Sequence, residues 1–274
     1  MTKRKLANIL FFLILVLGAL IMVFPFFWMI STSVKTPSEA AQVPPMLWPK
    51  HPHWVNFVNA FHAAPFGRYL VNSLIVTVCT TAAQMFTSIL AAFAFSKLKF
   101  WGKNLIFMIF LTTMMVPIEM LIIPNYVTLS ETHLMNTYLA LILPWAASFF
   151  TVFTLRQAFN AVPPQVYYAA KIDGASDWKY LWTVLVPICR SSIVAMTILE
   201  VISSWNDFMW PMIVTNDPNM RTLPVAVASF TNDVGTNYPY MMAAATFVII
   251  PMIILYVILE KYIIQGITKG GLVG

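Results

Sequence analysis

Charge is scarce in this 274-residue chain. Asp, Glu, Lys and Arg together make up 9% of it, against about a quarter of an ordinary soluble domain. That deficit excludes a soluble globular fold. Cysteine is nearly missing as well: Cys79 falls within a long apolar run and Cys189 beside an amphipathic stretch. Neither is placed for a disulfide, and both read as packing residues. Histidine occurs at His51, His53, His62 and His133, never as a metal-ligand pair at helical spacing. With no nucleophile–base set in sight either, an intramembrane enzyme is disfavoured. The chain also lacks a phosphate-binding glycine loop ending in Gly-Lys-Ser or Gly-Lys-Thr, and it shows no inverted internal repeat of the kind many secondary transporters carry.

What the chain has in abundance is apolar residues, 59% of the total. Six segments are long enough to cross a bilayer as helices, which takes roughly 20 residues each. They cover about 9–30, 69–95, 104–127, 137–155, 191–214 and 240–259. Helices are expected throughout, because backbone groups in lipid must be satisfied within their own segment, and none of the six alternates as a strand would. The chain is thus expected to be all-α, a polytopic membrane protein folded as a single transmembrane domain over 1–274. The N-terminal MTKRK followed by an apolar run mimics a signal peptide. No small-x-small cleavage site follows it, so the run is read as the first span.

The formal net charge of +6 is a topology signal rather than a sign of nucleic-acid binding. If the N-terminus is inside, Lys3, Arg4, Lys5, Lys97, Lys99, Lys103, Arg156, Lys171, Lys179, Arg190, Lys261 and Lys269 fall on the inner face. Only Lys35, Lys50, Arg68 and Arg221 fall outside. Cytoplasmic loops collect Lys and Arg, so both termini are placed in the cytoplasm. Prolines interrupt spans three to six, at Pro117 and Pro124, Pro144, Pro211 and Pro251, where each removes a backbone bond. The run MMVPIEMLIIPNY combines two of them with Glu119 and Asn125, which favours a helix lining a polar cavity.

One stretch departs from the apolar pattern: VPPQVYYAAKIDGASDWKYLWTVLVPICR, residues 162–190. Pro163 and Pro164 suit the first turn of a helix. Gln165 to Asp173 can form about two and a half turns, and Gly174 stands where a helix ends in a left-handed residue. Ser176 is a fair N-cap for a second helix, with Asp177 at its positive end. In that helix Trp178, Leu181, Trp182 and Leu185 recur at i, i+3, i+4 and i+7, a stripe suited to lying in the inner interface. Pro187 stops it before span five. The predicted unit is a cytoplasmic elbow over about 160–190, helix, glycine turn and interfacial helix.

The elbow resembles the "EAA" loop of permease subunits of ABC importers, whose pattern is Glu-Ala-Ala-x3-Gly-x9-Ile-x-Leu-Pro. Here Ala169-Ala170, Lys171-Ile172-Asp173, Gly174 and Val184-Leu185-Val186-Pro187 keep the spacing, while Tyr168 replaces the glutamate. In the family that acid helps to pair with the ATPase; Tyr168 offers a hydroxyl and packing area instead. AAKIDGAS, WNDFMWP and the tail YIIQGITKGGLVG are similar to the carbohydrate branch of the family, in particular its smaller maltose-type permease subunit. So are LRQAF, PNY and NTYLALILP. The resemblance implies a type I ABC importer permease fold in a bacterial inner or plasma membrane. It implies that Tyr168, Ala169, Ala170, Lys171, Ile172, Asp173, Gly174, Ala175 and Pro187 couple to an ATPase. It also implies that the tail, with Gln265, Gly266, Thr268, Gly270 and Gly271, reaches toward that ATPase. Relatives often end Gly-Ala-Val-Lys-Gly; this chain ends Gly-Leu-Val-Gly and lacks the terminal lysine.

The implied partners are a homologous second permease, two ABC ATPase subunits, an extracytoplasmic solute-binding protein, lipid and a sugar; nucleic acid is not expected. The chain is expected to bind no cofactor and catalyse no reaction, with ATP and Mg2+ used by the ATPase. The substrate expected is an oligosaccharide, with glycerol phosphate or another polyol as the alternative. In span five Glu200, Ser203, Ser204 and Asp207 recur at i, i+3, i+4 and i+7, with Trp205, Asn206 and Trp210 close by. Charges within a membrane usually face a cavity or a partner. The stripe is therefore read as lining the translocation path, with contact to the second permease and internal hydrogen bonding as alternatives. A proton- or sodium-coupled carrier would instead use Glu119, Glu200 and Asp207 as coupling sites, but it has no need of a cytosolic docking helix.

Overall fold

The computed structural model describes residues 3–232 and 235–270, with side chains at Lys5, 8–228, Phe230 and 236–258. In chain order its helices are α1 (Lys3–Ser33), α2 (Pro37–Ala40), α3 (Val55–Ala63), α4 (Phe66–Lys97), α5 (Lys103–Thr113), α6 (Ile122–Glu131), α7 (Tyr138–Ile142), α8 (Phe149–Ala161), α9 (Pro164–Ile172), α10 (Asp177–Tyr180), α11 (Val186–Ile188), α12 (Arg190–Asn206), α13 (Met209–Val214), α14 (Leu223–Ala226) and α15 (Tyr238–Gly270). A two-residue antiparallel pair, Thr231–Asn232 with Gly235–Thr236, is a local exception to the all-α expectation.

Three stretches are long and apolar enough to cross a bilayer unaided: Asn8–Ser33, Phe66–Lys97 and Tyr238–Ile258. Three more qualify as bent pairs. These are Lys103–Thr113 with Ile118–Glu131 at 93°, Tyr138–Trp145 with Phe149–Ala161 at 45°, and Asp177–Ile188 with Arg190–Asn206 at 82°.

The continuous helix expected over 104–127 is thus broken, and proline explains where. The ring of Pro117 would meet the carbonyl of Thr113, the last residue of α5, and it pushes Val116 out of the helical region. Pro117 itself is extended, with φ −57 and ψ 135. Pro124 falls in the first turn of α6, where a missing N–H costs nothing. The expected span 137–155 is also divided. A 3-10 turn carrying Pro144 ends its first half. The Ser148 hydroxyl, accepting from the Thr151 amide, restarts the helix at Phe149, which then runs past residue 155 to Ala161. Span five stops at Asn206 rather than 214. Asp207 is extended, with φ −64 and ψ 120, and Pro211 lies in the first turn of the separate helix α13.

The chain divides into two compact units. One comprises 1–66 and 223–251. In it, the end of α1 is held by polar groups from the following segment. The buried Lys35 ammonium donates to the Met46 carbonyl at 2.6 Å and lies 4.1 Å over the Trp28 ring. The Asn56 amide donates to the carbonyls of Ser33 and Lys35 at 2.9 and 2.8 Å, and the Ser31 hydroxyl to that of Leu47. Phe57, Phe61 and Phe66 surround Phe247 edge-on.

The other unit comprises 67–222 and the described residues from 252 onward. Its main core joins Met85, Ile89 and Phe93 of α4, Leu155 and Phe159 of α8, and Met196 of α12 to Tyr180, Leu181 and Leu185. A second cluster gathers Val76, Leu129, Leu141 and Val214 around Trp210.

Candidate functional site

The elbow forms as its local sequence dictates. Pro164 opens α9 and Asp173 caps it. Gly174 adopts φ +75, a conformation that costs an L side chain about 1–2 kcal/mol. Open space lies where its Cβ would stand, so what this position requires of glycine is backbone freedom. Ala175 N–H closes the turn on the Ala170 carbonyl at 2.9 Å. The Ser176 hydroxyl accepts from the Lys179 amide and starts α10. A π-helical turn, Leu181–Leu185, leads into α11. That extra residue per turn accommodates Pro187, whose ring would otherwise meet the carbonyl of Thr183.

Side chains fasten the two arms across the glycine. Asp177 Oδ1 receives the Tyr167 hydroxyl at 2.7 Å and the Lys171 ammonium at 2.7 Å. That ammonium also lies 5.5 Å from the Tyr167 ring centre. The hydrogen bond from Lys171, then that from Tyr167, hold the Asp177 carboxyl below its ordinary value. Burial, reinforced by the hydrogen bond to Asp177, pushes the Tyr167 phenol up to about 12. Tyr167 meets the fully buried Tyr180 edge-on at 5.0 Å.

The stripe expected to lie in the membrane interface does something else. Leu181 and Leu185 are fully buried in the protein core, each contributing on the order of 1.5–3 kcal/mol relative to exposure to water. Trp182 is half-buried and stacks on Phe86 at 6.3 Å; only Trp178 is mainly exposed. The interfacial reading of this stripe is therefore corrected. Two buried leucines are the hinge pin that anchors the elbow to α4 and α8. The outward surface consists of Tyr168, Ala169, Lys171, Ile172, Asp173 and Gly174, all exposed, with Ile172 at 87%. Ala170 turns inward onto the core, Ala175 is half-buried and Pro187 exposed. Tail positions Gln265, Gly266, Thr268 and Gly270 lie on the last turns of α15; their side chains, and Gly271 altogether, lie outside the described residues.

The residues expected along a path separate into groups. Glu200 is half-buried and its carboxylate accepts from the Thr151 hydroxyl at 3.0 Å. Thr151, fully buried, is also reached by the Gln84 amide at 3.5 Å and lies 3.2 Å from the Ser148 hydroxyl. A polar node thus joins α4, α8 and α12. Ser203 and Asn206 are exposed and Ser204 is half-buried. Asp207 leaves the helix, so the stripe ends with Ser204. Trp205 is buried. Trp210 is 2% exposed, donates to the Ala140 carbonyl at 2.9 Å and packs edge-on against Trp145. It is a structural anchor. Glu119 is exposed at the start of the 3-10 turn after Pro117, and Asn125 is half-buried on α6. Sequence reasoning missed Gln84 and Thr151, whose burial depends on contacts across 67 and 49 residues. It also missed Tyr167, although its position one turn before Lys171 was a usable signal.

A family model described as the binding-protein-dependent transport system inner membrane component matches residues 84–269. The chain belongs to that family. It is an inner-membrane permease component, and the match includes the whole elbow and α12. It is 32% identical to the arabinooligosaccharides transport system permease protein AraQ of Bacillus subtilis, over 98% of this chain and 96% of that one. It is 28% identical to the sn-glycerol-3-phosphate transport system permease protein UgpE of Yersinia pestis, over 98% of both. In fold it matches a chain of a bacterial ABC transporter involved in the import of the acidic polysaccharide alginate. That match has a TM-score of 0.83 and 22% identity, over 96% of this chain and 98% of that one.

Proposed function

We propose that this chain is one permease half of an ATP-driven importer for an oligosaccharide, crossing the membrane six times with both termini in the cytoplasm. Three long stretches, the bent pairs 103–131 and 138–161, and Arg190–Asn206 beyond the cytoplasmic elbow support six crossings, and the distribution of Lys and Arg supports the orientation. The observation that carries the reading is the elbow's outward surface. Tyr168, Ala169, Ile172 and Gly174 stand exposed on a rigid, internally paired turn, whose inner face is bolted to the transmembrane helices through Leu181 and Leu185. A surface so built transmits displacement. A separate ATPase docked there, closing on ATP and Mg2+, would swing α4, α8 and α12 together between inward- and outward-facing states. The other partners are a homologous second permease and an extracytoplasmic solute-binding protein. The oligosaccharide reading is supported by the relative named for arabinooligosaccharides; sn-glycerol-3-phosphate, from the second relative, is the alternative substrate. Glu200, Ser203, Ser204 and Asn206 are the path residues this reading retains on α12.

Reconstituted with its cognate subunits, the complex is expected to take up sugar in proportion to ATP hydrolysed. Gly174→Ala should keep hydrolysis and lose most uptake, while Gly174→Asn, which tolerates the left-handed region better, should restore part of it. Uptake by Gly174→Ala equal to wild type would remove the coupling role. The melting shift of the cognate binding protein with arabino-oligosaccharides against sn-glycerol-3-phosphate separates the two substrates.

A further inference from the structure

The loop between α4 and α5 collects positive charge that no acid among the described residues answers. Lys97, Lys99, Lys103 and Arg156 come together there. The Lys97 ammonium donates to the Val162 carbonyl at 2.9 Å. That of Lys103 donates to the carbonyls of Ser96 and Leu98 at 3.3 and 2.9 Å. The Arg156 guanidinium donates to the Phe95 carbonyl at 3.0 Å and lies 3.8 Å over the Phe107 ring. These contacts fix the cations in place but leave their charge uncompensated, because a carbonyl is neutral. The charged groups acting on Lys103 are Arg156 and Lys97, both of its own sign. Among the described residues none of the four forms an ion pair; the pair that does form is Lys171 with Asp177. Beside the cluster an open cavity of about 390 Å³ is lined by Lys99, Lys103, Phe100, Asn104 and Leu105. Trp101 projects from the same loop, 94% exposed, although tryptophan is a costly residue to leave in water.

We propose that this cavity binds the headgroup of an anionic phospholipid of the inner leaflet. Lys99 and Lys103 meet the phosphate, Asn104 the polar headgroup, and Trp101 inserts at the headgroup level beside the acyl chains. Each element matches what such a ligand requires. Basic pockets at the cytoplasmic ends of spans bind acidic headgroups, and tryptophan concentrates at the interface, where its ring is apolar and its N–H wet. A soluble anion would use the lysines and leave Trp101 without a role; the lipid uses both. The proposal rests on the topology proposed above, which puts this loop on the cytoplasmic side.

Native mass spectrometry of the full chain in detergent, with phosphatidylglycerol or phosphatidylcholine added, tests it. Phosphatidylglycerol should be retained preferentially. Lys99→Gln should weaken that retention about fivefold, the equivalent of one lysine at an anionic surface. Trp101→Ala should weaken retention of the lipid without changing any affinity for inorganic phosphate. Lys103 also holds the end of α4, so Lys99 and Trp101, both exposed, are the variants of choice. Lys5→Gln removes an equal charge elsewhere on the inner face and should have little effect. Equal retention of the two lipids, an equal loss in Lys5→Gln, or displacement of phosphatidylglycerol by inorganic phosphate would each overturn the assignment. The readout needs neither nucleotide nor sugar, so failure of the import reading does not touch it. Accessibility of Trp101→Cys, in a cysteine-free background, to an impermeant thiol reagent tests the shared topology separately.

Discussion

The elbow and the Gln84–Thr151–Glu200 node handle polar side chains in opposite ways. In the node the groups come from three helices; Gln84 is buried, Thr151 fully enclosed and Glu200 half-buried. Their bonds join residues 49 and 67 positions apart in the chain. In the elbow, Tyr167, Lys171 and Asp177 lie within ten residues of one another, and the side chains of the ion pair remain 37% and 44% exposed. The node therefore holds helices together. The elbow's pairing satisfies only itself, which stiffens the turn and leaves its outer surface free for another protein. Node variants should damage stability first, and elbow variants should damage coupling first.

The largest effect is expected at the node. Thr151→Val takes the hydroxyl donor from the Glu200 carboxylate within the membrane, where a hydrogen bond to a charged group contributes roughly 1.5–3 kcal/mol. Thermal or denaturant unfolding of the complex in detergent should register a loss of that order, and Thr151→Ser should recover most of it. Glu200→Gln keeps an acceptor and should cost less. If Thr151→Val melts like wild type while uptake collapses, Glu200 serves the path alone and the node does not hold the helices together. At the elbow, Gly174→Ala should cost about 1–2 kcal/mol of backbone strain, confined to the turn. Its signature is lost uptake per ATP with little change in melting.

Why one region was legible in the sequence and the other was not follows from the range of the forces involved. The elbow is written in local rules: Pro164 at a helix start, a left-handed Gly174, Ser176 as an N-cap. Each acts within four residues, and the structure places each as the pattern predicts. The node needs α4, α8 and α12 brought together, and nothing local in Gln84 or Thr151 announces that. The same limit explains Trp210, which the sequence sets close to the span-five stripe but which donates its indole N–H to the carbonyl of Ala140, 70 positions away. It also explains the elbow's apolar stripe. Period 3.6 shows that Leu181 and Leu185 share a face, but whether that face meets lipid or protein is decided by α4 and α8. The break at Pro117 lay between these cases. Proline forbade a straight helix there, but the 93° turn needed the surrounding structure.

A smaller effect should come from loosening the elbow's own pairing. Asp177→Asn removes a partly exposed ion pair worth about 0–1 kcal/mol, so melting should barely move. Uptake per ATP should still fall, because the angle between α9 and α10 is no longer fixed. The exchanged pair Lys171→Asp with Asp177→Lys should restore part of it. An Asp177→Asn complex as tightly coupled as wild type would mean that Gly174 and the buried leucines alone set the turn.

The smallest effect is a pH response, and its sign is fixed by the two groups involved. The Asp177 carboxyl is held below its ordinary value of 3.8. Its contribution is complete above that value and is lost as pH falls through the lower, folded one. The Tyr167 phenol moves the other way, from 10.0 to about 12. Its contribution is complete below pH 10 and is lost as pH rises through about 12. Between those limits neither group changes charge, so elbow stability should be flat across the physiological range. Tyrosinate absorbance, compared between wild type and Tyr167→Phe, isolates the phenol: the missing component should titrate well above the ordinary tyrosines. A component titrating near 10 instead would mean that Tyr167 is not held against Asp177. The internal fastening of the elbow, and with it the contrast to the buried node, would then fail.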